Sequence, residues 1–262
     1  MRNSFVAALL LFASLAPTVV AEPPRVPNDA ITRALRAFVD NKQVAGVVGV
    51  IATKDRVLYC DGVGYSNFET KTPMTLDAMF WIASMTKSMT GAALMMLVDE
   101  DKLSLDDPVE KYLPEFKKLV VADDDEKTRA RKPSHPVTVR ELCSHTHGMA
   151  DVKTRNVSLA DDVTRFTAAP MDCDPGTRFK YSNVSLNVAG RLIEVLSGMS
   201  YYDFMRTRLF EPLGMNDATF WPSEAQVARL ARTYMQKKDK SGIANVKLDI
   251  PLPAGSTVPP AL

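Results

Sequence analysis

The 262-residue sequence contains only three cysteines and three histidines, and this scarcity excludes several classes of protein. Cys60, Cys143 and Cys173 are too few and too scattered for a disulfide framework, although an exported protein could form one bridge. The stretch "CSHTH" at 143–147 matches no zinc-ligand spacing, and no carboxylate joins it. We therefore predict no metal site and no other cofactor.

An excess of charge of one sign is also lacking. The chain has 32 Lys and Arg against 31 Asp and Glu, which gives a formal net charge of +1. Proteins that bind nucleic acids need a basic surplus to neutralise phosphates. We therefore predict no nucleic-acid partner.

Long apolar runs are absent, because no segment approaches the ~20 residues that a helix needs to span a bilayer. The run from Phe5 to Leu15 follows Arg2 and is followed by small residues ending at Ala21. This order is typical of a secretory signal. We predict that residues 1–21 are removed, that the mature protein is secreted or periplasmic, and that no stable membrane span remains.

Two β-rich runs follow, at 44–53 and 56–65, and the turn-like pair Lys54 and Asp55 separates them. This pattern predicts an antiparallel hairpin. The hairpin contains several glycines that predict close packing of a neighbouring element, namely Gly46, Gly49, Gly62 and Gly64. Before it, a surface helix capped by Asn28 or Asp29 is predicted to present one apolar face, formed by Ile31, Leu35, Phe38 and Val39.

The rest of the chain is mostly helical up to about residue 220. The periodicity predicts helices at 84–100, 137–145, 159–168, 183–197 and 200–210, with strands resuming near Thr233. This order favours an α+β fold over alternating βαβ units. We predict one domain over 22–262, with a sheet part at 22–83, a mostly helical part at 84–225, and returning strands with a divergent tail at 226–262.

The sequence "WIASMTKSMTG" at 81–91 places Ser84 and Lys87 three residues apart at the start of a predicted helix. Positions i and i+3 share a helix face with Cβ atoms ~5–6 Å apart, so Lys87 can accept the Ser84 proton. The N–H groups of the first turn would stabilise an oxyanion beside Ser84. The buried stripe of this helix is predicted at Met85, Met89, Ala92, Ala93 and Met96.

The Ser-x-x-Lys spacing alone does not establish catalysis. A chain of this length should contain about one such match by chance, and this chain contains one. The alternative is a helix that begins at a capping serine and carries a solvated lysine.

A second element favours catalysis. Tyr181 and Asn183 lie in "RFKYSN", in a predicted loop that leads into a helix. A phenolate at neutral pH needs a pKa roughly three units below the usual value of ~10, which the charge of Lys87 could supply. Asn183 could accept a hydrogen bond from Lys87 and donate to a substrate carbonyl. A second "YSN" at 65–67 lacks this context and is interpreted as an edge or turn.

Together these segments resemble the serine β-lactamase and penicillin-recognising superfamily, most closely the class C type with its carboxypeptidase and esterase relatives. The resemblance rests on the segment around Ser84, on "VTVRELCSHTHGM", which is similar to the family's "SHTSG" loop, and on "RFKYSN" through "FEPLGMNDATF". It covers roughly residues 28–230. It implies a β-lactamase-like fold, with Ser84 as nucleophile, Lys87 and Tyr181 sharing the base role, and Asn183 positioning the substrate.

The family's third motif, Lys-Thr-Gly or His-x-Gly on a core strand, is not found in the sequence. The nearest candidate is Lys240, Ser241 and Gly242, which fits better as the turn of a hairpin. We therefore expect the C-terminal strands to be missing.

Two functions stay open. The resemblance implies a secreted serine hydrolase, predicted to be a monomer, that acts on a small-molecule or peptidoglycan-like substrate: a β-lactam, a D-Ala-D-Ala peptide or a small ester. The alternative is a truncated, catalytically impaired pseudoenzyme of the same family.

Overall fold

The computed structural model describes residues 24–122, 130–153, 158–239 and 241–246. The predicted signal at 1–21, Lys240 of the candidate third motif and the tail from residue 247 lie outside these described residues. The elements follow the α+β order that the sequence predicted. In the described ranges, no helix is both long and apolar enough to cross a membrane.

The first helix, α1 (Asp29–Asp40), begins at Asn28. The Asn28 Oδ1 accepts hydrogen bonds from the backbone N–H groups of Ala30 and Ile31, at 3.1 and 3.2 Å, which satisfies two N–H groups of the first turn. Val39 is buried as predicted, but Phe38 is 51 % exposed. The predicted apolar face of α1 is therefore only partly covered, since Phe38 remains open to solvent.

A three-stranded antiparallel sheet packs against α1 in the order β1 (Gly46–Ala52), β2 (Val57–Asn67) and β3 (Thr72–Pro73). The first two strands form the predicted hairpin, with the turn at Lys54 and Asp55. The "YSN" at 65–67 forms the last three residues of β2, where Tyr65 and Asn67 pair with β3, so it belongs to the central strand and not to an edge or turn.

Glycines in this sheet admit close neighbours. A Cβ at Gly49 would lie 2.9 Å from the Tyr59 ring and 3.0 Å from Leu35 of α1. A Cβ at Gly62 would lie 2.9 Å from the backbone oxygen of Met74. Because such contacts are too short for any side chain, the predicted close packing is confirmed.

The main hydrophobic core lies among the helices. Its helices are α2 (Thr86–Asp99), α3 (Val139–Cys143), α4 (Leu159–Ala168), α5 (Asn183–Ser197) and α6 (Tyr201–Phe204), whereas α7 (Glu224–Ala228) buries none of its residues. Helix α5 is central, since it contacts α2, α3, α4 and α6 and buries Val184, Val188 and Leu192 completely. The helix predicted at 200–210 is α6 followed by a wide π-helical turn over Met205–Phe210.

The buried face of α2 differs from the predicted one. Thr90, Ala93, Leu94 and Leu97 are fully buried, whereas Met85 is 69 % exposed and Ala92 is also exposed. Packing against α5 selects the 90-93-94-97 face, because those side chains lie three and four residues apart. Of the predicted stripe only Ala93 is fully buried, while Met89 and Met96 are partly exposed.

Short elements complete the described chain. They are 3₁₀ turns at Ala83–Met85, Val109–Lys111 and Pro114–Lys118, the paired strands β4 (Val121–Ala122) and β5 (Ala130–Arg131), and the paired strands β6 (Thr233–Gln236) and β7 (Ile243–Val246). The strands predicted to resume near Thr233 are therefore present.

Candidate active site

Ser84 lies in the 3₁₀ turn that leads directly into α2, rather than inside the α-helix as predicted. Ala83 adopts a left-handed conformation with φ of +44°, which breaks the helical geometry immediately before Ser84. Such a conformation is strained for a residue with a side chain, and strain of this kind is found at functional sites. The turn leaves the Ser84 side chain exposed to solvent.

Lys87 reaches Ser84 from the first turn of α2. Its Nζ donates a hydrogen bond to the Ser84 Oγ at 3.2 Å, so the predicted contact across one helical turn is present. This distance is short enough for proton transfer between the hydroxyl and the amine.

Asn183 is the first residue of α5, which Ser182 caps through a 3.0 Å hydrogen bond from the Val184 N–H to the Ser182 Oγ. The cap fixes the direction in which α5 begins. The Asn183 Oδ1 accepts a 2.8 Å hydrogen bond from the Lys87 Nζ. Because that oxygen is occupied by Lys87, the amide NH₂ is the group that Asn183 can offer to a substrate carbonyl.

Tyr181 faces the same lysine. The Lys87 Nζ lies 5.0 Å from the centroid of the Tyr181 ring, and the ring is 52 % exposed. Hydrogen bonding to Ser84, then to Lys87, together with the charge of Lys87, lowers the pKa of the Tyr181 phenol from its ordinary value. The structure thus brings Ser84, Lys87, Tyr181 and Asn183 together, as the sequence predicted.

Sequence analysis missed His145, which lies against Tyr181 with ring centroids 4.8 Å apart. Burial, and secondarily the charge of Lys87, lowers the pKa of His145 from its ordinary value. The sequence feature that could have indicated His145 is its position in the segment similar to the family's "SHTSG" loop. The spacing of the histidines in this segment fits no metal site and gives no indication of the contact with Tyr181.

Several exposed apolar side chains lie close to Ser84 or Tyr181 along the chain, and we call them the apolar rim. Its large side chains are more than a third exposed, and each lies within four residues of Ser84 or two of Tyr181 in the chain; they are Phe80, Trp81, Ile82, Met85 and Phe179. Exposed apolar side chains grouped in this way mark binding surfaces more often than scattered ones do.

Comparison with known proteins assigns the family. The family model described as Beta-lactamase matches residues 31–255 of the chain. The chain belongs to the Beta-lactamase family. The family includes serine hydrolases, so the resemblance derived from the motifs is confirmed.

Relatives of this Beta-lactamase-family chain differ in their named activities. It is 28 % identical to esterase EstB of Burkholderia gladioli over 233 residues, covering 82 % of this chain and 56 % of EstB. It is 35 % identical to penicillin-binding protein 4 of Amycolatopsis lactamdurans over 171 residues, covering 63 % and 42 % of the two chains.

A solved structure shares the fold: EstCE1, a hydrolase with promiscuous acyltransferase activity, aligns with a TM-score of 0.72 at 24 % identity. The alignment covers 89 % of this chain and 63 % of EstCE1. The β-lactamase-like fold is thereby confirmed. This Beta-lactamase-family chain spans about half the length of the curated relatives it matches.

Two residues of the candidate third motif lie in a hairpin turn, which is the position that the sequence favoured. Ser241 and Gly242 lie in the turn between β6 and β7, and the Lys237 N–H donates to the Gly242 carbonyl at 2.9 Å. Gly242 lies beside the aliphatic part of Lys42, just after α1. The hairpin prediction is therefore confirmed for these two residues.

Cys60, Cys143 and Cys173 are free thiols. Among the described residues, no three His, Cys, Asp or Glu side chains are grouped closely enough to hold a metal ion.

Proposed function

We propose that this protein is an exported serine hydrolase that transfers an acyl group to Ser84 and then to water. The observation that carries the proposal is the position of the Lys87 Nζ, 3.2 Å from the Ser84 Oγ and 2.8 Å from the Asn183 Oδ1. A nucleophile, a base and a group that orients the base are the three parts that nucleophilic catalysis requires.

The proposed reaction has two steps. The Ser84 Oγ attacks the acyl carbonyl and gives its proton to the Lys87 and Tyr181 pair. The resulting oxyanion accepts from the Ser84 N–H, and Asn183 donates to the substrate through its amide NH₂. The pair returns the proton to the leaving alcohol or amine. Water then attacks the acyl-enzyme, gives a proton to the same pair and releases the acid, while Ser84 regains its proton.

Within this class we favour small esters with apolar acyl groups. The apolar rim supports this choice, because apolar groups gain free energy by covering exposed apolar side chains, and those of the rim neighbour Ser84 or Tyr181 in the chain. The similarity to esterase EstB also favours an ester substrate. A β-lactam or a D-Ala-D-Ala peptide is the second candidate, which the similarity to penicillin-binding protein 4 favours.

The decisive experiment is covalent labelling of the purified full chain. We expect a fluorophosphonate to add to Ser84, detected by mass spectrometry of peptides, and we expect no adduct in Ser84→Ala. Ser88→Ala, one turn further along α2 and also exposed, should label normally. A folded wild-type protein that stays unlabelled would support the alternative, a catalytically impaired pseudoenzyme.

The substrate is then identified by a panel. Rates of hydrolysis of p-nitrophenyl butyrate, nitrocefin and a D-Ala-D-Ala peptide are compared under single-turnover conditions. The ester is expected to react fastest, and faster turnover of nitrocefin or the peptide would replace it with the second candidate.

Export is tested separately. We expect the mature protein recovered outside the cytoplasm to begin at Glu22, which N-terminal sequencing would show. A protein retained in the cytoplasm with residues 1–21 intact would contradict the proposed location.

A further inference from the structure

His145 holds the main chain on both sides of Tyr181. The Lys180 N–H donates to the His145 carbonyl oxygen at 2.9 Å, and the Ser182 N–H donates to the His145 Nδ1 at 3.4 Å. The residues immediately before and after Tyr181 are thus bonded to one residue, through its backbone and its ring respectively. A tyrosine held at both flanking amides has little freedom to move its Cα.

The ring of His145 also supports the side chain of Tyr181. The two ring centroids are 4.8 Å apart with an interplanar angle of 41°, and the Phe179 ring meets the His145 ring edge-on, with centroids 6.0 Å apart at 86°. Tilted and edge-to-face contacts at these distances are attractive. The His145 ring therefore packs against one side of the Tyr181 ring and limits its movement in that direction.

The hydrogen bonds fix the tautomer of His145. An amide N–H can only donate, so the Ser182 N–H identifies Nδ1 as the acceptor and leaves the ring proton on Nε2. Ser185 lies in the first turn of α5, and its Oγ is 2.8 Å from the same Nδ1. A ring protonated at Nδ1 could not accept the bond from the Ser182 N–H.

The surroundings keep the ring neutral. The titratable and charged groups near it are Lys87 from α2, Tyr181 from the loop before α5, and His147 two residues along its own loop. Burial and the charge of Lys87 both lower the pKa of His145, so the acceptor at Nδ1 persists at neutral pH.

The backbone of His145 is adapted to this double role. Its φ is +57°, in the left-handed region that few residues with side chains adopt. A strained conformation persists only where several contacts hold it in place, and here the carbonyl and the ring are both bonded to the Tyr181 segment.

We propose that His145 is the positioning residue of the site, which holds the Tyr181 phenol against Ser84 and Lys87. The inference rests on the proposed function for its catalytic consequence, but the placement of the phenol can be measured without turnover. His145 acts through Tyr181 and does not itself exchange a proton with substrate.

Three variants separate the contributions of His145. His145→Ala removes ring and acceptor, His145→Phe keeps an aromatic ring without the acceptor, and His145→Asn keeps an acceptor and tolerates the left-handed backbone. We expect kcat to fall about ten-fold or more in the Ala variant, with KM changed by less than about three-fold, because proton transfer and not binding is disturbed. The Asn variant should recover part of the loss.

A double mutant tests whether His145 acts through Tyr181. In a Tyr181→Phe background, His145→Ala should cost little further rate of Ser84 labelling, because the group it positions is already gone. An equal cost in both backgrounds would overturn the proposal. Thermal melting of each variant identifies any that fail to fold. If His145→Ala fails to fold, His145→Asn and His145→Phe are compared instead.

Phenol titration makes the inference independent of catalysis. With Tyr labelled at the ring carbon that bears the hydroxyl, NMR reports the ionisation of Tyr181, assigned by its loss in Tyr181→Phe. We expect the pKa of Tyr181 to rise toward its ordinary value in His145→Ala and to stay lowered in His145→Asn. An unchanged titration in the Ala variant would refute the positioning role even if Ser84 is catalytic, whereas an unlabelled Ser84 with a shifted titration would refute only the proposed function.

Discussion

The Lys87 Nζ lies 2.8 Å from the Asn183 carboxamide oxygen, although 96 positions separate the two residues in the sequence. Each lies in the first turn of a long helix, α2 and α5, and these two helices pack together in the core. Leu97 and Leu192, both completely buried, belong to that core. The relative position of the two polar groups is therefore fixed by hydrophobic packing, which resists deformation.

The first prediction concerns Lys87. Lys87→Met keeps most of the side-chain volume but removes the amine that contacts Ser84 and Asn183, so the base loses its partner. We expect the rate of Ser84 acylation by p-nitrophenyl butyrate to fall by about 10²–10⁴. Single-turnover kinetics with mass detection of the acyl-enzyme provide the measurement.

Lys118→Met is the matched control for this change. Lys118 is exposed at the end of the Pro114–Lys118 turn, away from Ser84 in the chain, and its replacement should leave acylation unchanged. Acylation of Lys87→Met within about two-fold of wild type would exclude Lys87 as part of the base.

The second prediction concerns the pH dependence of acylation. Ser84 and Lys87 lower the pKa of Tyr181, and the phenolate is the form that accepts a proton. The rate should therefore rise with pH through that lowered pKa and level off below the pH at which an ordinary tyrosine, with a pKa of ~10, would ionise. Tyr181→Phe should lower the rate and remove this rise.

Tyr65→Phe is the control, because Tyr65 begins the other "YSN" and lies in β2. Its pH profile should match that of wild type. If Tyr181→Phe retains the wild-type rise, the ionising group belongs to another residue and the shared-base assignment is wrong.

The sequence predicted the site better than it predicted its surroundings. Ser84 and Lys87 are neighbours through helical geometry alone, which is local, and the contact is present. Their meeting with Asn183 is a tertiary contact, which was predicted from the hydrogen-bonding capacity of the Asn183 amide and which the resemblance also implied. Local geometry and family motif together were sufficient for these groups.

Features that depend on the tertiary environment were missed. Met85 was assigned to a buried stripe because it is apolar, yet only packing against α5 decides which face of α2 is covered. The contacts of His145 could not be predicted from the sequence for a related reason. Its contacts with Lys180 and Ser182 join two loops that are distant in the chain, and no periodicity reports such contacts.

The third prediction concerns a buried hydrogen bond behind the site. The Thr90 Oγ1 donates to the Thr86 carbonyl at 3.0 Å, so the Tyr201 hydroxyl, 2.7 Å away, donates to Thr90. Burial raises the pKa of Tyr201 far above its usual range. Tyr201→Phe removes this bond and should lower the free energy of unfolding by about 1 kcal/mol in urea denaturation.

Tyr202→Phe is the neighbouring control. Tyr202 is only partly buried and packs edge-on against Trp221 at 4.5 Å, a contact that phenylalanine retains. We expect a change within about 0.5 kcal/mol. A Tyr201→Phe variant as stable as Tyr202→Phe would mean that water replaces the lost hydroxyl.

The fourth prediction concerns His147, which is 2 % exposed and accepts a 3.0 Å hydrogen bond from the Met149 N–H at its Nδ1. Burial, followed by the charges of His145 and Lys180, lowers the pKa of His147 to about 4 from 6.5. The unfolded chain binds a proton below pH 6.5 and the folded chain does so only near pH 4. The contribution of His147 to stability should thus be complete above pH 6.5 and should fall by about 1 kcal/mol per pH unit between pH 6.5 and about pH 4.

His147→Asn tests this assignment, since the Asn Oδ1 can accept from the Met149 N–H but does not ionise. Urea denaturation at a series of pH values should show a shallower loss of stability on acidification than in wild type. His135→Asn, in which the replaced side chain is 45 % exposed, should keep the wild-type loss. If stability falls equally steeply with pH in wild type and His147→Asn, groups other than His147 cause the acid sensitivity.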